Sequence, residues 1–142
     1  MAFKTPLFFD AYLAGGDATN SSSQSFIGIG LNLHDYLVKN ASSTFFVRAD
    51  SNALRKIGIF KDDLLLVDRS FKPQSGDAVI AVIDNEFQLM RFVKSGPNKS
   101  WLEREEQGSM TGFKKYSLND EENIYLWGVI THSIHKLKEV EQ

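Results

Sequence analysis

The residues that could perform acid–base, nucleophilic or metal chemistry are few and dispersed in this sequence. Cysteine is absent from the 142 residues, which excludes disulfides, thiolate metal sites and thiol nucleophiles. The three histidines, His34, His132 and His135, have no convincing partner in the sequence pattern. On a strand, His132 and His135 would face opposite sides, which argues against a shared metal ion. We therefore predict no metal site and no cofactor.

The acidic and basic clusters indicate no catalytic centre either. We interpret Glu103, Glu105 and Glu106 as a solvated face of the protein rather than as an acid–base pair. Lys114 and Lys115 form a basic cluster that is too small to indicate nucleic-acid binding. The formal net charge of −2 gives no basic footprint, so direct sequence-specific binding to DNA is not expected.

The composition is that of a soluble globular protein, with 42% apolar and 24% charged residues. No apolar run approaches the roughly 20 residues needed to span a bilayer. The N-terminal segment resembles a signal peptide, but Asp10 interrupts its apolar run and the segment is too short. We therefore predict a cytoplasmic protein with no membrane association.

Residues 44–93 must form the body that positions any functional side chains. This stretch contains four short apolar runs separated by acidic, Gly or Pro turns, and it has no long helical period. The runs 64–67 and 78–83 are continuously apolar, as in strands covered on both faces. Asp84-Asn85 is a two-residue hairpin signal that pairs 77–83 with 86–93. The pattern predicts a mainly β fold with a curved, partly closed sheet.

The flanking segments add a flexible arm and a few short elements to this body. Residues 1–24 read as an arm, because residues 15–23 are rich in Gly, Ser and polar residues. The remaining residues, 25–142, are predicted to form one β-rich domain with one or two short helices. Its further elements are an entry strand at 25–31, a helix from Leu33 to Lys39 capped by Asn32, a short helix around Leu54 and Ile57, a strand at 101–104, a surface excursion at 105–119 and a last strand at 124–134.

Several motifs of this β-rich stretch resemble the catalytic core of the UmuD proteins and of the peptidase half of LexA-type repressors. In that family a strand ending in F-V-[KR]-A leads to a [SG]-D-S-M motif. A G-I-x-x-G-D-L-L-[IV]-V-D turn and strand follow, then G-D-x-V-[IV]-A and a D-x-E-x-x-V-K strand. The matching residues here are Phe46-Val47-Arg48-Ala49, Gly58-Ile59, Asp63-Leu64-Leu65-Leu66-Val67-Asp68, Gly76-Asp77-Ala78-Val79-Ile80-Ala81 and Asp84-Asn85-Glu86-Phe87. The resemblance implies the LexA/UmuD peptidase-like β fold.

The two catalytic positions of the family do not match. The nucleophilic serine is replaced by Ala53, and the lysine that acts as general base is replaced by Met90. An alanine has no oxygen to attack a carbonyl, and a thioether cannot accept the proton. We therefore predict a pseudo-peptidase. Because Ser51-Asn52-Ala53-Leu54 replaces the whole Gly-Asp-Ser-Met motif, natural degeneration explains the loss better than an engineered Ser→Ala change.

The N-terminal arm carries a candidate cleavage site. UmuD and LexA proteins cut themselves at an Ala-Gly or Cys-Gly bond in an arm, and Ala14-Gly15 falls at that place. Residues 6–8 precede it with the Pro-Leu-Phe sequence found in UmuD. An Ala-Gly pair is also common in flexible tails, and both interpretations remain open.

The resemblance implies a function in protein binding. With residues 1–24 as the arm, no helix-turn-helix precedes the core, which favours the UmuD type over a LexA-type repressor. UmuD-like proteins form homodimers and associate with a RecA–single-stranded DNA filament and with a UmuC-like Y-family polymerase subunit. Our leading hypothesis is a non-cleaving accessory protein of the SOS DNA-damage response, acting in error-prone translesion synthesis and mutagenesis.

Two alternatives remain at this stage. The first is an inactive decoy that forms heterodimers with active LexA-like or UmuD-like chains and modulates their self-cleavage. The second is a serine autopeptidase with a relocated site at Ser51. On an extended chain Ser51 would share a face with Ala53, but its oxygen would lie about 6–7 Å away along the strand.

Overall fold

The computed structural model describes residues 32–106, 110, 112–119 and 123–139. The described residues are mainly β, which confirms the predicted fold class, and no helix among them is long and apolar enough to cross a membrane. The elements are α1 (Leu33–Leu37), β1 (Thr44–Arg48), a 3-10 turn (Arg55–Ile57), β2 (Leu64–Asp68), β3 (Ala78–Ile83), β4 (Glu86–Lys94), β5 (Ser100–Glu105), β6 (Phe113–Ser117) and β7 (Ile124–Ile134).

The chain divides into two units, Met1–Lys39 and Asn40–Gln142. The first contains α1, whose N-terminal cap is Asn32: its Oδ1 accepts a hydrogen bond from the Asp35 N–H at 3.1 Å. The helix is shorter than predicted, because Val38 already has an extended backbone. The predicted arm, its Ala14-Gly15 bond and the predicted entry strand lie outside the described residues.

Strands β1 to β7 form one antiparallel sheet in the order β1-β2-β7-β3-β4-β5-β6. Among the described strands β1 and β6 are the edges, so the sheet is open and the predicted partial closure is absent there. The continuously apolar strands β2 and β3 are instead covered on both faces by side chains.

Two apolar clusters cover the two faces of β3, and the first of them also contains Leu65 and Val67 of β2. Alternation along paired strands places Ile80 and Leu89 on one face of the sheet, and Val79 and Met90 on the other. The first cluster contains Ala49, Leu54, Ile59, Leu65, Val67, Ile80 and Leu89. The second contains Val79, Ala81, Ile83, Met90, Phe92, Leu102 and Val129.

The hairpin between β3 and β4 forms at the predicted dipeptide. Asp84 and Asn85 both have positive φ values, 51° and 68°, as a type I′ turn requires. This turn fixes a register in which Val79 lies opposite Met90 and Ala78 lies opposite Arg91. Local sequence chemistry thus determines which side chains of β4 share a face.

Strand β7 contains an irregularity that orients one aromatic side chain. Ile80 pairs with Gly128 and Ala81 pairs with Leu126, so Trp127 between them has no partner in β3. Such a bulge redirects the extra side chain. At the neighbouring glycine the backbone approaches β2 closely, because a Cβ at Gly128 would lie 2.6 Å from a methyl carbon of Val67.

The predicted surface excursion at 105–119 is wrong for part of its length. Residues 113–117 form β6, which pairs with β5 along its whole length. Isolated aromatic residues among lysines give no clear alternation, but an edge strand needs little buried surface because its backbone pairs on one side. Glu103 opposite Lys115 supplies a complementary cross-strand pair.

Candidate functional site

The loop that carries Ala53 is fixed to the sheet by backbone hydrogen bonds. Ala49, at the end of β1, donates to the Asp63 carbonyl at 2.9 Å and accepts from the Asp62 N–H at 2.8 Å. Further along the loop, the Ala53 carbonyl accepts from the Glu105 N–H at 3.1 Å. These bonds hold position 53 against the end of β5, with its methyl group buried.

Ala53 lines a cleft of about 240 Å³. The cleft lies between the loop, the 3-10 turn, the middle of β4, the second half of β5 and the start of β6. Its wall contains three cationic side chains, two carboxylates and apolar groups: Ala53, Leu54, Lys56, Ile57, Arg91, Glu103, Arg104, Glu105 and Phe113. We refer to it as the Ala53 cleft.

Met90 does not line the Ala53 cleft, although the next residue of β4, Arg91, does. The Met90 side chain is fully buried in the second apolar cluster, among Phe92 and Leu102. Successive residues of a strand point to opposite faces, which separates Met90 from Arg91. The structure therefore brings the strand that carries position 90 to the cleft, but not the Met90 side chain itself.

Two ion pairs organise the charged wall of the cleft. Arg55 Nη2 lies 3.0 Å from Glu105 Oε1, and Arg91 Nη1 lies 3.9 Å from Glu103 Oε2. Glu103 Oε1 also accepts a hydrogen bond from the Trp101 indole at 2.9 Å. The predicted solvated face is wrong for these two glutamates, since their side chains are only 12% and 17% exposed.

Two polar atoms of the same wall are buried without a hydrogen-bond partner in the part of the chain that the structure describes. They are Oε2 of Glu105 and Nε of Arg91. Buried polar atoms are satisfied in the great majority of cases, so each exception needs an explanation. One is an acceptor and the other a donor, and both belong to residues of the Ala53 cleft.

Ser51, the residue considered for a relocated catalytic site, takes part in a local turn. Its Oγ accepts a hydrogen bond from the Ala53 N–H at 3.3 Å. Ser side chains commonly bond to the backbone two residues further on in this way. The contact gives the hydroxyl a structural role in shaping the loop.

The comparison with protein families matches residues 6–130 of this chain to Peptidase S24-like proteins. The chain belongs to this family. Among similar proteins, Protein ImpA of Escherichia coli is 34% identical over 141 residues, which cover 98% of this chain and 89% of ImpA. Protein MucA of Escherichia coli is 33% identical over 115 residues, covering 80% of this chain and 75% of MucA.

A LexA repressor, from Clostridium acetobutylicum, is 32% identical over 69 residues, which cover 44% of this chain and 34% of the repressor. The family and these relatives confirm the resemblance to UmuD and LexA-type proteins that the motifs indicated.

Elsewhere in this S24-like domain, a buried carboxylate links β7 to the start of β2. Asp63 is 1% exposed and accepts hydrogen bonds from the Phe60 N–H at 2.9 Å and from Ser133 Oγ at 3.0 Å. His135 Nδ1 lies 2.5 Å from the other carboxylate oxygen. Burial raises the pKa of Asp63, but the hydrogen bonds from Phe60, His135 and Ser133 outweigh this effect and hold the pKa below its usual range.

The prediction that the histidines have no convincing partner is therefore wrong for His135. Because Asp63 is ionised and can only accept, His135 Nδ1 carries the proton of this bond. The two residues are 72 positions apart, so no local pattern could reveal the pair.

A second buried carboxylate, Asp68, joins the chain before β1 to the end of β2. It accepts hydrogen bonds from Ser70 Oγ at 2.6 Å, Ser43 Oγ at 2.8 Å and the Asn40 side chain at 3.1 Å. Burial raises the pKa of Asp68, but these bonds and the Ser70 N–H lower it further, to about 2 from its ordinary value of 3.8. The arrangement is structural, since every strong contact of the carboxylate is internal.

One surface of the domain carries stacked aromatic rings. The Trp127 ring lies 5.1 Å from Phe45 and 5.4 Å from Phe87, and the Arg69 guanidinium lies 4.6 Å above it. Phe45 is 43% exposed and Phe87 is 61% exposed. We call these four residues the aromatic surface. Exposed aromatic clusters of this kind mark interaction sites.

The described residues contain no group of three or more His, Asp or Glu side chains that could hold a metal ion. The predictions of no metal site and no cofactor remain predictions for the whole chain.

Proposed function

We propose that this chain is a non-cleaving, UmuD-like accessory protein of the SOS DNA-damage response, located in the cytoplasm and acting in error-prone translesion synthesis. The observation that carries the proposal is the cleft of an S24-like domain that is lined by Ala53, the residue that the motif resemblance assigns to the nucleophile position. The loop is held in place by the Ala53 carbonyl, so the scaffold persists without the hydroxyl.

The chemistry of the two positions supports a role in binding rather than hydrolysis. A Ser–Lys peptidase needs a hydroxyl nucleophile and a neutral amine within hydrogen-bond reach. Ala53 supplies a methyl group and Met90 a buried thioether. Loss of a nucleophile leaves at most a residual acceleration of roughly 10³–10⁴-fold over water, which is too slow for self-processing.

The aromatic surface supports a homodimer. Trp127 lies on β7, the last strand, and in the UmuD and LexA proteins that this chain resembles the last strand contributes to dimerisation. Phe45 and Phe87 expose large apolar areas on either side of Trp127, and burying them against a second copy is favourable. The dimer is the form in which we propose that the chain meets its partners.

A capture experiment tests the proposed partners. Immobilised full-length protein is incubated with a UmuC-like Y-family polymerase subunit and, separately, with a RecA–single-stranded DNA filament, while light scattering gives the oligomeric state. We expect a homodimer that retains both partners at moderate salt. Retention of neither partner by a well-folded dimer would overturn the proposal.

A second measurement addresses the arm. We propose that the Ala14–Gly15 bond is cut in trans, because an intact arm can enter the site of an active UmuD-type protomer. Full-length chain is mixed with an active UmuD-type protein and RecA filament, and its mass is followed over time. Alone it should keep its full mass, and in the mixture it should lose residues 1–14; a Gly15→Trp variant is the control.

The decoy role is a second candidate, favoured by the extent of the similarity to relatives. A chain that aligns with 89% of ImpA at 34% identity matches such proteins over most of their length, so it could take the place of one of their chains in a dimer. Mixing differently labelled chains tests it by energy transfer. A homodimer that does not exchange subunits with an active relative over hours would exclude the decoy role and leave the accessory role intact.

A further inference from the structure

The Trp127 side chain, at the centre of the aromatic surface, is held by a residue that follows the end of β2. We propose that Arg69 is a positioning residue, which fixes Trp127 in the orientation through which the homodimer forms and so sets the strength of the dimer. This inference rests on the proposed function in one respect, namely that the aromatic surface is the dimer interface. It goes further by naming the residue that prepares this surface for the second copy.

Strand pairing does not hold the backbone of Trp127. The residues on either side of it pair with Ala81 and Ile80 of β3, and Trp127 lies between these two pairs without a partner. On the other side of β7, the pairing with β2 reaches only as far as Val129. A bulged residue outside both described registers has no ladder hydrogen bonds to fix its direction, so another contact must do so.

Arg69 supplies this contact in two ways. Its Nε donates a hydrogen bond to the Trp127 carbonyl at 2.8 Å, and its guanidinium lies 4.6 Å from the centre of the indole ring. The backbone of Arg69 is itself fixed, because its N–H donates to the Ser43 carbonyl at 2.9 Å. One planar side chain therefore holds both the backbone and the ring of Trp127.

The glycine that follows Trp127 makes room for this arrangement. A Cβ at Gly128 would lie 2.6 Å from a methyl carbon of Val67 and 3.3 Å from Cγ of Arg69. The first distance is too short for any real Cβ atom, and the second would push the Arg69 stem outwards. The bare backbone at this position therefore lets the Arg69 side chain approach β7 closely enough to reach Trp127.

Two further rings complete the surroundings of the indole. The Phe45 ring of β1 lies 5.1 Å from it in a tilted arrangement, and the Phe87 ring of β4 lies 5.4 Å from it, edge to face. Together with Arg69 they define one orientation of Trp127 before a second copy arrives. An interface side chain that is already held in its bound orientation loses little conformational freedom on association, which strengthens binding.

Sedimentation velocity of the full-length protein over a dilution series measures the dissociation constant of the homodimer. We expect R69K to raise this constant by about fivefold or more, although the charge is kept, because lysine has neither the Nε donor nor the planar face. The matched control is R48K. Arg48 is also exposed and donates to a backbone carbonyl, that of Asp62 at 2.9 Å, but it does not belong to the aromatic surface. R48K should dimerise as the parent does, and an equal loss in this control would overturn the inference.

A double-variant cycle separates positioning of Trp127 from direct contact between Arg69 and the second copy. W127A should raise the dissociation constant by about thirtyfold or more, as expected for an aromatic anchor at the centre of an interface. If Arg69 acts through Trp127, adding R69K to W127A should change the constant by less than about twofold. Additive losses would show that Arg69 contacts the second copy itself, and they would overturn its positioning role.

Fluorescence reports on the orientation of Trp127 directly. The chain contains two tryptophans, so Trp127 is the only one in a W101F background. At concentrations where the protein is monomeric, R69K should lower the fluorescence anisotropy of Trp127 and make the indole more accessible to acrylamide. An unchanged anisotropy would overturn the inference, and so would a looser Trp127 in a dimer of unchanged strength.

The remaining outcomes separate this inference from the proposed function. A dimer that W127A weakens and R69K leaves intact overturns the role of Arg69 and leaves the accessory role standing. A parent protein that stays monomeric, or a dimer that tolerates W127A, overturns the aromatic surface as the interface and this inference with it.

Discussion

Ala53 keeps its place through its backbone, while its side chain contributes only a methyl group to the cleft wall. The carbonyl of this residue, and not its side chain, joins the loop to β5. Met90, by contrast, is held by its side chain, which packs in the core with Phe92 and Leu102. A thioether at this place needs no hydration, whereas an ammonium group would.

The Met90→Lys variant tests this placement. A lysine here would bring an unpaired charge into the second apolar cluster, so we expect the free energy of unfolding to fall by about 3–5 kcal/mol at neutral pH. Urea denaturation followed by circular dichroism measures the change. Met90→Leu should lose less than about 1.5 kcal/mol. A lysine variant as stable as the parent would show that the side chain at position 90 can reach the solvent of the cleft.

Acid stability depends on Asp68. Its folded pKa of about 2 lies below the ordinary value of 3.8, so its stabilising contribution is complete above pH 4 and is lost as the pH falls from about 4 to about 2. The Asp68→Asn variant should lose about 1–3 kcal/mol at pH 7 and show a flatter acid dependence. Urea unfolding at several pH values measures both effects, and Asp50→Asn, at an exposed position, should leave the parent's acid dependence unchanged.

At the scale of elements, the parts of the fold that sequence could predict are those specified locally. The Asp84-Asn85 turn was predictable because two adjacent residues that tolerate positive φ determine it. Strand β6 was not predictable, because its residues show no alternation of apolar and polar side chains. Its pairing with β5 identifies it as a strand. The burial of Glu103 and the partner of His135 depend on contacts between segments distant in the chain.

The candidate site, too, was predictable from the sequence only in part. The motifs placed Ala53 on the loop after β1, and the cleft forms there. The pleat of β4, which follows from the hairpin register, turns Arg91 rather than Met90 towards this cleft. The unsatisfied atoms of Arg91 and Glu105 have no sequence signature at all, because they result from the packing of three strands around one loop.

The link between β7 and the start of β2 gives a prediction at this scale. Asp63→Asn should destabilise the protein by about 1–3 kcal/mol, and His135→Ala by less than about 1 kcal/mol. The difference arises because Asp63 also serves the Phe60 N–H and Ser133, whereas the His135 side chain is 44% exposed. Chemical denaturation of both single variants and the double variant measures the coupling. Equal losses in the two single variants would contradict this ranking.

At the scale of the whole molecule, the aromatic surface and the Ala53 cleft differ in character. The aromatic surface is exposed and rich in large rings, which suits the self-association that we propose, whereas the wall of the cleft is charged. Strand β4 contributes to both places, with Phe87 in the aromatic surface and Arg91 at the cleft.

Phe87→Glu tests the dimer. A charge at this 61% exposed position should raise the dissociation constant of the homodimer by more than about tenfold, because it places an unpaired carboxylate inside an apolar interface. Light scattering over a dilution series measures the change. Leu137→Glu introduces the same charge at a position that is 92% exposed, outside the aromatic surface, and should leave the dimer intact. A Phe87→Glu protein that dimerises normally would exclude the aromatic surface as the interface.

The position of β7 has a consequence for synthesis of the protein in the cell. This strand is the last of the seven strands that the structure describes, yet it lies between β2 and β3 and joins the two halves of the sheet. While residues 124–134 are still inside the ribosome, β1-β2 and β3-β4-β5-β6 can form only as separate pieces, each with one bare inner edge. Such edges are templates for intermolecular pairing. A chain truncated before residue 124 should therefore aggregate rather than fold, which size-exclusion chromatography of the truncated and full-length proteins would show.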